Sequence, residues 1–141
     1  MITRIDHIGI AVESIDKALA FFQEALGLAL DRVGSEEGGK TQVAFLPVGG
    51  AHSTRGDKTL VELVEPQDAA SGLAKFLGKR GEGVHHICFE VDDIDSALLR
   101  LKAHGAELID ETPQVNAAGQ RYAFIHPKSA HGVLIELYQK G

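Results

Sequence analysis

Two histidines and two glutamates carry the chemistry of this sequence. His7 lies in TRIDHIGIAV and His86 in GVHHICFEV, while Glu62 sits in KTLVELVEP and Glu136 in GVLIELYQK. Each glutamate is flanked by aliphatic residues in a stretch that otherwise reads as core strand. A carboxylate in such a place is costly unless it is hydrogen-bonded, paired or bound to a metal. One instance could be a wet edge strand; recurrence at equivalent places points to a shared role. Two imidazoles and two carboxylates suit a divalent first-row metal. In an octahedral site, four protein ligands leave two positions for water or substrate, as a Lewis-acid catalyst requires.

The places are equivalent because the chain repeats itself. DHIGIAVESIDKAL, from Asp6, matches HHICFEVDDIDSAL, from His85. With His7 set on His86, identities follow at Ile8/Ile87, Val12/Val91, Ile15/Ile94, Asp16/Asp95, Ala18/Ala97 and Leu19/Leu98. The match resumes where LVEL (Leu60–Leu63) faces LIEL (Leu134–Leu137). Two copies of so long a period make a duplicated supersecondary unit, not a solenoid.

Each copy has the same grammar. Ile5–Val12 and His85–Val91 alternate and are rich in β-branched residues, so both read as strands. A helix follows each. In the first, Ser14 caps, Ile15, Leu19, Phe22 and Leu26 form the buried stripe, and Gly27 ends it. In the second, Asp92 or Asp93 caps, Ile94, Leu98 and Leu101 form the stripe, and Gly105 ends it. Three more strands follow in each copy, near Leu28–Val33, Thr41–Val48 and Thr59–Glu65, then Glu107–Glu111, Tyr122–Ile125 and Val133–Tyr138. A short helix closed by glycines joins the copies. The expected fold is therefore α+β: two βαβββ modules in tandem, forming a curved mixed sheet around a metal-binding cleft. One domain covers 1–141, with module one over 4–66, the connecting helix over 67–83 and module two over 84–139. Strand parity puts His7 on a face with Gly9 and Ala11, opposite Ile8, Ile10 and Val12. The bulky face should pack on helices, and the small-residue face should stay open and line the cleft, with His86 placed likewise.

Other residues invite plainer readings. Parity sends His85 to the face opposite His86, so it reads as a structural residue or as a support behind the ligand His86. Cys88 fills core space. His104 makes a favourable helix C-terminal contact, and His52, in a Gly/Ser loop, is given no role. The glycine-rich stretches Gly34–Gly39 and Gly49–Gly56 lack P-loop spacing. Of the 141 residues 44% are hydrophobic, the net charge is -6, and a single cysteine rules out an intrachain disulfide. No basic stripe suggests nucleic acid. MITRIDHIGIAV contains no apolar run long enough for a signal peptide or membrane span, so the expected location is the cytoplasm.

Three stretches carry a resemblance: DHIGIAV at Asp6, KFLGKRGEGVHHICFEVDDID from Lys75, and HPKSAHGVLIEL from His126. They resemble the methylmalonyl-CoA epimerases of the vicinal oxygen chelate (glyoxalase/dioxygenase) superfamily, and the likeness covers nearly the whole chain. HPKSAHG is the most specific of them, since glyoxalase I enzymes generally carry a DP-G-type sequence there. The resemblance implies an isomerase of propionate metabolism. It would interconvert (2R)- and (2S)-methylmalonyl-CoA by proton transfer at C2 through a metal-stabilised enolate. It implies the ligands His7, Glu62, His86 and Glu136, and Glu136 as a catalytic base. The metal favoured is cobalt, with zinc, nickel, manganese or magnesium possible. The partners implied are an acyl-CoA substrate and a second copy in a homodimer, without nucleic acid or membrane. Lys128 and Ser129 are candidate CoA contacts, and Lys75, Lys79 and Arg80 form a second cationic cluster. One departure stands out. Some epimerases carry a second catalytic glutamate where this chain has Val43, and glutamine where it has Glu62. Glu62 would then be both ligand and second proton-transfer group. Glyoxalase I (lactoylglutathione lyase) and a non-catalytic binding protein of the same fold are the competing readings.

Overall fold

Alternation of large aliphatic residues with small or polar ones sorts the strands of this protein into faces, and the helices that follow the first strand of each copy cover the aliphatic ones. The computed structural model describes residues 1–49 and 58–141. His52 and nearly all of the Gly49–Gly56 stretch lie outside the described residues. The chain divides into two compact units, one of His7–His85 and one of Met1–Asp6 with His86–Gly141.

The first unit takes strand β1 (Ile2–Ala11) from His7 onward, helix α1 (Ile15–Leu19), β2 (Arg32–Glu36), β3 (Thr41–Val48), β4 (Thr59–Pro66) and helix α2 (Gly72–Arg80). Its strands lie in the order β2, β3, β4, β1. The pairs β2–β3 and β3–β4 are antiparallel and β4–β1 is parallel. A parallel pair needs a crossover between its strands, and β1 reaches β4 only after α1, β2 and β3. Ser14 caps α1, its hydroxyl accepting the Lys17 N–H at 3.2 Å. Ile15 is buried with Val12, Ala44, Leu46 and Leu63, and Ile10, Leu19 and Phe22 pack around them.

The expected stripe fails at its last member, because Leu26 is 55% exposed. After Leu19 the helix widens into a π-helical segment, Ala20–Ala25. A π-turn fits about one extra residue into the turn, which rotates Leu26 off the buried face. Gly27 follows at φ +86°. The next strand also starts later than expected: Leu28 and Leu30 pack on the core in a connecting segment, and β2 begins only at Arg32.

The second unit holds β5 (Gly83–Val91) from His86 onward, helix α3 (Ile94–Ala103), β6 (Gln114–Val115), β7 (Arg121–Ile125) and β8 (Leu134–Gln139), in the order β5, β8, β7, β6. The β5–β8 pair is parallel and the other two are antiparallel. Asp93, not Asp92, caps α3, accepting from the Ser96 N–H and hydroxyl. Asp92 instead pairs with the chain's amino terminus at 2.7 Å. The core here is Val91, Ile94, Leu98, Ala123, Ile125 and Leu137. The expected strand at Glu107–Glu111 is absent. Only Leu108 bridges to Ile125, and the Asp110 carboxylate accepts the Phe124 N–H at 2.8 Å. A side chain has taken over a bond that a strand neighbour would make. Both copies are nevertheless βαβββ, and the fold class is α+β.

Leu63 is fully buried among Val12, Ile15, Ala44 and Leu46. Leu63→Ala is expected to lower unfolding stability by about 2–5 kcal/mol, the range for a buried leucine that leaves a cavity. Urea denaturation measures it, and a loss below about 1 kcal/mol would contradict this packing.

Candidate metal centre

Strand register makes the first His/Glu pair. In the parallel β1–β4 pairing His7 stands opposite Leu60 and Gly9 opposite Glu62, so His7 and Glu62 lie on one face, two residues out of step. Gly9 adds no side chain between them. His7 Nδ1 lies 2.8 Å from Glu62 Oε2, and the residues are only 9% and 5% exposed. The small-residue face is not open along its length, contrary to expectation. Ala11 on that face is fully buried with Val43, Phe45, Val64 and Leu73, because α2 lays Leu73, Phe76 and Leu77 against it.

The second unit repeats the device with looser geometry. Cys88 stands opposite Glu136 and His86 opposite Leu134 in the parallel β5–β8 pairing. His86 Nε2 lies 3.9 Å from Glu136 Oε1. Cys88 is fully buried and counts among the core residues, as expected, on the face shared with His86 and Glu136. Two residues further along β5, Glu90 accepts from Arg4 at 2.9 Å, and Arg4 also donates to Asp6 at 3.1 Å. Burial raises the Tyr138 hydroxyl above its ordinary value, and the Asp6 and Glu90 charges add to the shift. Sequence reading missed this ionic group, because Arg4 and Glu90 are far apart in the chain.

The donors suit a divalent ion. The 2.8 Å contact in the first pair is a hydrogen-bond distance, and the 3.9 Å contact in the second is longer. Imidazole nitrogen with carboxylate oxygen is also the donor chemistry that such ions take. Each pair can therefore offer two donors to one ion.

The remaining candidates fall elsewhere. HPKS forms a tight turn: His126 Nδ1 accepts the Lys128 N–H, a 3-10 segment spans Pro127–Ala130, and His131 closes it at φ +55°. Ser129 Oγ accepts the Glu107 N–H at 2.7 Å, so its hydroxyl fastens the turn to the segment after α3, while Lys128 is exposed. Lys75, Lys79 and Arg80 are exposed on α2. His85 meets the Phe76 ring edge-on at 4.9 Å, and burial lowers its pKa. His104 is the C-cap of α3.

Residues 6–124 match the model of the glyoxalase/bleomycin resistance protein/dioxygenase superfamily. The chain is 36% identical to the ethylmalonyl-CoA/methylmalonyl-CoA epimerase of Cereibacter sphaeroides, over 99% of each chain. It is 40% identical to the uncharacterised protein YqjC of Bacillus subtilis, over 95% of this chain and 90% of that one. Its fold superimposes on Streptomyces coelicolor methylmalonyl-CoA epimerase, solved with 2-nitronate-propionyl-CoA, with a TM-score of 0.86 and 33% identity, over 100% of this chain and 96% of that one. By sequence and by fold alike, the chain belongs to the methylmalonyl-CoA epimerase family of the glyoxalase/bleomycin resistance protein/dioxygenase superfamily.

Proposed function

We propose that this protein interconverts (2R)- and (2S)-methylmalonyl-CoA, with His7, Glu62, His86 and Glu136 holding one divalent ion. The supporting observation is the duplicated pair: a strand-borne histidine beside a strand-borne glutamate, in each unit. A bound divalent ion would supply Lewis acidity toward the thioester oxygen and so acidify C2. Glu136 removes the C2 proton on one face, and Glu62 returns one on the other. Each carboxylate sits on a paired strand, so its reach is fixed by the sheet rather than by a loop. Val43, at the position where some relatives have a second glutamate, is fully buried and has no proton to move. The strands around His7 and Glu62 also exclude bulk water, which strengthens each electrostatic contact.

Several finer properties belong to the same proposal. Cobalt is the favoured ion. The chain works as one domain and as a homodimer in the cytoplasm, with Lys128 and Ser129 at the CoA end. No described helix is long and apolar enough to cross a membrane.

Deuterium exchange at C2 of methylmalonyl-CoA in D2O, followed by proton NMR with added cobalt and with chelator, tests the reading. Exchange should run with cobalt and stop with chelator, and metal analysis should give one ion per chain. No exchange under either condition would sink it. A second reading gains from Glu62, since a carboxylate there completes the ligand set used by glyoxalase I. Methylglyoxal with glutathione is the discriminating substrate pair, and rapid S-lactoylglutathione formation would favour that lyase. A protein that carries no metal and turns over neither substrate would be a binding protein of the same fold.

A further inference from the structure

We infer that Arg32 is a built anion receptor, set to hold an oxyanion of the substrate. Its seat is formed by two neighbours. Arg32 stands opposite Phe45, and Phe45 opposite Glu62, in adjacent antiparallel pairs. With Gly9 these residues form one row across the sheet, on the face that carries His7 and Glu62. The Arg32 guanidinium lies 4.0 Å from the centre of the Phe45 ring. Phe45 is itself buried, so the stacking surface is rigid.

Gly34 supplies the second half of the seat. It lies on the same face, opposite Val43. Its backbone needs no glycine, for it is not among the residues with positive φ. A Cβ placed there would stand 3.0 Å from Arg32 Nη1. The missing side chain leaves room beside the guanidinium on Phe45, and an added methyl would press on Nη1. Glycine in a strand interior weakens the strand and often marks close approach by another group; here that group is a cation.

Seated in this way, Arg32 keeps its fork of N–H donors for something else. No ion pair or hydrogen-bond acceptor engages it among the described residues, and it is exposed on edge strand β2. Two strand spacings put its Cα about 10 Å from that of Glu62, a gap that a long arginine side chain and a bound acyl group span together. A planar guanidinium held on a ring binds carboxylate or phosphate through two parallel hydrogen bonds. The ligand is therefore an oxyanion: the free carboxylate of the acyl group, or a phosphate of CoA. A surface arginine that only shields Phe45 with its stem is the alternative.

The choice of substrate rests on the epimerase reading; anion binding does not, and the test separates the two. Arg32→Met keeps the apolar cover, Arg32→Lys keeps the charge without the fork, and Gly34→Ala keeps the arginine but crowds its seat. For methylmalonyl-CoA epimerisation, KM should rise about tenfold in Arg32→Met, as for a lost charged hydrogen bond. It should rise less in the other two, with kcat changing less than KM in all three. Methylmalonyl-pantetheine, which lacks the CoA phosphates, retains the deficit if the carboxylate is bound and loses it if a phosphate is. In parallel, the Arg32 Nε–H NMR signal is followed with malonate and with inorganic phosphate. It should shift at millimolar anion in the wild type and need more anion for the same shift in Gly34→Ala. An unmoved signal together with an unchanged KM would overturn the inference while leaving the epimerase reading intact. A moved signal in a protein without epimerase activity would do the reverse.

Discussion

Glu136→Gln is expected to slow C2 proton exchange in the epimer whose proton faces Glu136 by about 10²–10⁴-fold, the contribution of one positioned acid–base group. Glutamine has nearly the same shape and can still offer an amide oxygen to an ion, so it removes proton-accepting ability more than it removes volume. Glu136 is partly exposed, and Phe124 and Cys88 flank it on the neighbouring strands. A folding defect should therefore be small, and thermal unfolding of the variant checks that. If the variant folds, binds metal, and exchanges deuterium at the wild-type rate, Glu136 is not the base. If metal content and exchange fall together, Glu136 acts mainly as a ligand.

Glu62→Gln should separate two events that the wild type couples. Epimerisation needs a proton removed on one face of C2 and one delivered on the other. With Glu62 silenced and Glu136 intact, deuterium should still enter one epimer with retention of configuration, while inversion falls about 10²-fold or more. Proton NMR of the exchanging sample, combined with chiral analysis of the product, reads both rates at once. The 2.8 Å contact to His7 predicts a cost in metal affinity as well, which extra cobalt should partly offset. Full inversion with full metal content would remove Glu62 from both roles. The proton would then have to come from another group, and Val43 cannot be that group.

The duplication was open to sequence reading because it is local. Identical residues at His7/His86 through Leu19/Leu98 give the same strand and helix signals twice, and period-2 and period-3.6 patterns depend only on near neighbours. Caps were legible for the same reason, since Ser14 and Asp93 each bond an amide three residues on, but the choice between Asp92 and Asp93 came from the structure. The reading failed where the competing interaction came from further away. Leu26 has the right spacing for the stripe, yet the π-turn before it changes the rotation per residue. Glu107–Glu111 has strand composition, but the Asp110 side chain captures the Phe124 amide that a ladder would use.

By itself, then, the sequence determined that there are two βαβββ copies, marked four residues as candidate metal ligands, and placed the helix starts at Ser14 and at Asp92 or Asp93. Only the tertiary structure decided that His7 meets Glu62 more closely than His86 meets Glu136, that α2 closes part of the small-residue face, and that Gly34 lies beside the Arg32 guanidinium. The reason lies in register. Which side chain faces which across a sheet is set by how whole strands slide and pair, and a shift of one residue would reverse every face. That choice is made by the summed burial of residues far apart in the chain, so no single stretch of sequence records it.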